Sequence, residues 1–98
     1  SNLMVVAVRP TIANTTMKPA DTEYNYTLPA GTIRFEIKLR AQNAQLKLAF
    51  VSGESGPPYI TIPYGASYAE LDAKAGGRVL YFQSPSASQV AEIKSWIR

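Results

Sequence analysis

Between Thr32 and Arg40 the chain alternates apolar and polar residues without a break. Ile33, Phe35, Ile37 and Leu39 are apolar, while Thr32, Arg34, Glu36, Lys38 and Arg40 are polar. Successive side chains of a β-strand point to opposite faces, so this pattern predicts a strand with one dry and one wet side. After Ala41-Gln42-Asn43-Ala44 the alternation resumes, with Leu46, Leu48 and Phe50 in one phase and Gln45, Lys47 and Ala49 in the other. Two amphipathic strands joined by a short polar connection predict an antiparallel hairpin covering a core.

The remaining segments extend the same theme. Met4 to Val8 is a short valine-rich run that suits a first strand or an arm reaching over a neighbour, with Pro10 limiting further ladder donation. Thr11 to Thr22 has small polar residues and little periodicity and reads as a long loop, so residues 4–22 form an N-terminal arm and loop. Tyr24, Tyr26 and Leu28 share one face of a strand, and Pro29-Ala30-Gly31 turns it into the organising strand as a meander. Ser52 to Pro58 can be neither helix nor strand. Its two glycines raise a phosphate cradle, but no lysine and no helix start follow, so the phosphate-loop patterns fail. Tyr59 to Ile62 is a short strand closed by Pro63, and Leu71 is expected to plug one end of the core. Val79 to Phe82 is apolar on both faces, as an interior strand would be. Gln89 to Arg98 fits both periods: Val90, Ile93, Trp96 and Ile97 have helical spacing, whereas Ala91, Ile93, Ser95 and Ile97 alternate. A run of short strands at regular intervals favours the strand.

These elements predict an all-β, antiparallel two-sheet sandwich, jelly-roll-like, of seven to eight short strands. The expected core is Val6, Val8, Ile33, Phe35, Ile37, Leu39, Leu46, Leu48, Phe50, Ile60, Ile62, Leu80, Phe82, Ile93 and Trp96. Ninety-eight residues make a single domain, expected over residues 4–98, with residues 1–3 read as a cloning remnant.

Composition removes whole classes of chemistry. The chain has no cysteine and no histidine. Disulfides, thiol nucleophiles, imidazole bases and nearly all zinc sites are thereby excluded, and a Ser-His-Asp arrangement cannot be built. The seven acidic residues are scattered, and only Glu54 with Glu70 or Asp72 could be brought together as a carboxylate pair by folding. No catalytic, cofactor-binding or metal-binding residues are therefore assigned, and the chain is read as a non-enzyme. No run of about 18 apolar residues is present to cross a membrane as a helix.

Two surface candidates remain. Arg34, Lys38, Arg40 and Lys47, set against Glu36, account for the whole net charge of +3. A basic sheet face could meet nucleic acid or an acidic surface, although it lacks interleaved aromatic residues for stacking bases; a solvated face or a protein contact explains it as well. Tyr59, Tyr64 and Tyr68, clustered among proline and glycine, could instead display rings to a glycan, or simply lie across the end of the sandwich.

The succession Thr22-Glu23-Tyr24-Asn25-Tyr26-Thr27-Leu28-Pro29-Ala30-Gly31, the two alternating segments, Tyr59-Ile60-Thr61-Ile62-Pro63, Leu80-Tyr81-Phe82-Gln83-Ser84 and the Val/Ile/Trp terminus resembles small virion structural proteins of tailed bacteriophages and prophages. The resemblance covers roughly Thr22 to Trp96. It implies a passive building block for capsid decoration, a head–tail junction or a tail, present in the virion and in the host cytoplasm during assembly. A homo-oligomer, dimer or trimer, joined through the N-terminal arm or edge strands, is the expected form, with other virion proteins as partners. The rival expectations are a carbohydrate-binding module on a phage fibre and a nucleic-acid contact through the basic face.

Overall fold

A computed structural model describes residues 9–98. They form eight strands and no helix: β1 (Arg9–Met17), β2 (Tyr24–Thr27), β3 (Thr32–Leu39), β4 (Leu46–Ala49), β5 (Ile60–Ile62), β6 (Ser67–Leu71), β7 (Val79–Gln83) and β8 (Gln89–Ile97). Two four-stranded antiparallel sheets have the orders β1-β8-β3-β6 and β2-β7-β4-β5. Except between β4 and β5, which pair in one sheet, the chain crosses from one sheet to the other at each connection, which is the double winding of a jelly roll. The terminal segment is a strand, as the alternation of Ala91, Ile93 and Ser95 requires. All three are buried.

The organising strand keeps its predicted phase in its second half. Phe35, Ile37 and Leu39 face inward with Leu46, Leu48, Leu80, Phe82 and Ile93, and each is buried. Met17 and Leu28, which were not expected in the core, complete it. The expected hairpin and meander do not form. β3 pairs with β8 and β6, while β4 lies in the other sheet, so residues 40–45 are a crossover. Pro29–Gly31 is likewise a corner between sheets. Gly31 takes a φ of +84° there, and both the N–H and the Oγ1 of Thr32 donate to the Pro29 carbonyl, the latter at 2.7 Å.

Five core expectations are corrected by geometry. A register shift between Thr32 and Arg34 inserts Ile33 as an extra residue opposite β8; Thr32 is buried in its stead and Ile33 is half-exposed. Phe50 and Ile60 are in the inward phase, but they lie at the open margin of the second sheet and are 39% and 42% exposed. Trp96 pairs with Arg34 on the outward face of the first sheet. Leu71 also pairs with Arg34, so it points outward and is 78% exposed instead of plugging the core. Val6, Val8 and the strand expected over Met4–Val8 lie outside the described residues. The expected loop Thr11–Thr22 is mostly β1, which the sequence disguises because the inward positions Thr11, Ala13 and Thr15 are small or polar and only Met17 is buried.

Candidate functional site

The interior between the sheets, where barrels often hold ligands, is occupied by the packed side chains of the core. The chemistry-bearing residues therefore gather at three places on the rim and the outer faces.

The first is the margin where β6 and β7 come from opposite sheets. β6 turns Tyr68 and Glu70 toward the inside, opposite Ile37 and Phe35. Arg78, just before β7, forms a salt bridge with Glu70 and a second with Asp72 at 2.9 Å. Its guanidinium lies 5.3 Å from the Phe35 ring centre and 5.2 Å from that of Phe50. Tyr68 donates to Glu70 at 2.8 Å and tilts against both phenylalanines. The hydrogen bond from Arg78 holds the Glu70 carboxyl below the usual carboxylate range against a smaller desolvation effect. Burial, reinforced by Glu70, raises the Tyr68 phenol. Glu70 and Asp72 are thus both engaged by one cation, and the described residues hold no cluster of three or more potential metal ligands.

The second is the Ser52–Pro58 loop, which lies across the outer face of the second sheet. Its backbone does cradle an anion, but the anion is the chain's own. Gly53 N–H (2.8 Å), Ser55 N–H (3.2 Å) and Ser55 Oγ all donate to the Glu23 carboxylate. Gln83 Nε2 donates to the same Ser55 hydroxyl at 2.9 Å, and Ser55 is fully buried. Desolvation pushes the Glu23 carboxyl upward, but these hydrogen bonds outweigh it and hold the group below its ordinary value. Nothing local in the sequence marks this clamp, because its partners stand about thirty positions apart.

The third is an exposed apolar margin beside β4 and β5. Phe50, Val51, Pro58, Tyr59 and Ile60, together with Glu54, line a shallow depression of about 330 Å³. Val51 is 55% exposed, and Phe50, Tyr59 and Ile60 each show more than a third of their surface.

The tyrosine trio separates accordingly. Tyr59 belongs to this margin with the Lys47 ammonium 4.9 Å over its ring, and Tyr64 is exposed in the turn after β5. Tyr68 is half-buried against the core. The basic quartet separates too. Lys47 lies on the second sheet, while Arg34, Lys38 and Arg40 belong to β3 or its end on the first. Lys38 and Arg40 both contact Glu92, at 3.0 and 2.8 Å. The hydrogen bond from Arg40, then that from Lys38, lowers the Glu92 carboxyl. Arg34 stacks 4.3 Å over Trp96, with Lys94 near the same ring. No single face carries the four cations.

This geometry resembles that of a solved structure. A de novo designed double-stranded β-helix, determined in solution by NMR, superimposes with a TM-score of 0.53 at 16% identity, over 90% of this chain and 97% of that one. The likeness is one of fold. No protein-family model and no curated protein matches the chain.

Proposed function

We propose that this chain is a non-enzymatic structural protein of tailed bacteriophages or prophages, acting in the virion by association with copies of itself and with neighbouring virion proteins. The observation that supports the reading is the apolar margin of Phe50, Val51, Pro58, Tyr59 and Ile60. Large apolar groups massed on one rim gain by being covered, and a partner surface covers them. The jelly roll is a recurrent capsid architecture, although it also serves lectins and cupins, so fold alone decides nothing. The resemblance of the strand and turn succession to phage structural proteins supports the class.

Light scattering at high micromolar concentration tests the reading, with a dimer or trimer expected. Ile60→Asp should weaken association at least tenfold while the melting temperature holds, because Ile60 contributes little to the core. Peptides of the chain should be detected by mass spectrometry in purified particles. A monomer at that concentration, or saturable binding to one polysaccharide in a titration series, would overturn the proposal.

A further inference from the structure

β1 lies at an edge of the first sheet, with β8 on one side and, among the described residues, nothing paired on the other. In an antiparallel strand, the N–H and C=O of one residue point to the same side, and alternate residues point to opposite sides. The Val90 carbonyl accepts from Arg40 N–H at 2.9 Å, and Arg98 N–H donates to Gly31. Even-numbered residues of β8 thus address β3, and the odd-numbered ones address β1. Ala91, Ile93 and Ser95 meet Thr15, Ala13 and Thr11. The backbone groups of Pro10, Ile12, Asn14 and Thr16 are left facing the open edge. Proline, which has no N–H to offer, falls in this outward set, as an edge strand requires.

The other edges carry features that discourage pairing. β6 points Glu70 inward onto Arg78; β5 has three residues and ends at Pro63, and β2 has four. Inward charge and short length are the usual safeguards of an exposed edge. β1 has nine residues and carries no charged side chain from Pro10 to Met17, and Ile12 is 72% exposed. Its one such device is Pro10 near its start, which leaves Ile12, Asn14 and Thr16 as an open row on the longest edge.

We infer that β1 pairs antiparallel with β1 of a second copy across a twofold axis, fusing two first sheets into one eight-stranded sheet. This inference rests on the self-association reading above and adds to its apolar margin a second contact, on the other sheet. A twofold axis makes the strand its own complement, since each outward N–H meets an outward C=O of the same segment. The outward row of Ile12, Asn14 and Thr16 adds no charge repulsion. Arg9 and Lys18, at opposite ends of the segment, approach each other between copies, so screening by salt should tighten the pair.

The full chain serves for the test. Asn14→Pro removes an outward N–H and leaves the ladder to β8 intact, so dimerisation measured by sedimentation equilibrium should weaken at least tenfold. Because the parent has no cysteine, Ala13→Cys and Asn14→Cys report the contact directly. At least one should give a disulfide-linked dimer on a non-reducing gel after mild oxidation, and this readout decides the matter if the proline variant does not fold. Parent dimerisation should strengthen between low and moderate salt. An oligomer that Asn14→Pro leaves unchanged, with neither cysteine variant cross-linking, overturns the edge pairing and leaves the self-association reading standing. A monomeric parent overturns both.

Discussion

Arg78 is held by charge on one side and by aromatic rings on the other, and this double contact closes the margin between β6 and β7. Its side chain and that of Glu70 remain about 30% exposed, so the planar fork and the rings fix the geometry more than Coulomb attraction does. Beneath it, Phe35 and Phe50 occupy the same alternation phase and differ in depth. Phe35→Ala empties a fully enclosed site and should cost about 3–5 kcal/mol. Phe50→Ala, at 39% exposure, should cost only about 1–2 kcal/mol, since part of its transfer free energy is never gained. Urea unfolding of the two variants checks the difference, and equal losses would mean that the margin is covered in solution. Periodicity told which way each of these rings faces. It could not tell how far along the strand the opposite sheet extends, and exposure at the margin depends on that extent.

Elements were legible as elements and much less so as neighbours. The alternation of Phe35, Ile37 and Leu39 and of Ala91, Ile93 and Ser95 identifies strands with a dry side, and that side is dry. The same alternation is silent about which sheet a strand joins. β3 and β4 therefore read as a hairpin, and with them Arg34, Lys38, Arg40 and Lys47 read as one basic face. The crossover at residues 40–45 divides both. Glu23 shows the same gap for the outer faces, because its clamp on the Ser52–Pro58 loop is built from residues distant in sequence. The clamp has a consequence for acid stability. The Glu23, Glu70, Asp72 and Glu92 carboxyls all lie below their ordinary values. Each therefore stabilises the fold above its unfolded pKa of about 4 and loses that contribution as pH falls through the lower folded value. The melting temperature should drop steadily below about pH 4.5. Glu23→Gln should flatten the slope and speed hydrogen exchange at the Gly53 and Ser55 amides; unchanged exchange would show that the loop is held by something else.

The whole molecule is wound so that strands distant in sequence lie side by side: β1 against β8, β3 against β8, β2 against β7. Loop closure must be completed before such pairs reward the chain. Refolding monitored by stopped-flow fluorescence of Trp96, which sits on β8, should take milliseconds to seconds, the range of all-β domains rich in distant contacts. A microsecond phase carrying the full signal would contradict this winding. Among the described residues the sandwich expected from the sequence is present, with eight strands in two antiparallel sheets.

β8 follows β7 in the chain and lies inside its sheet, between β1 and β3. During synthesis the second sheet has all of its members once β7 emerges, while the first still has a gap one strand wide. Through that gap the nascent chain shows Phe35 and Ile37 to whatever is nearby, including the same gap on a chain growing alongside. Insertion of β8 is thus the moment at which the described fold exchanges a sticky half-shell for a sealed one, and a stop codon within Gln89–Ile97 would leave it open.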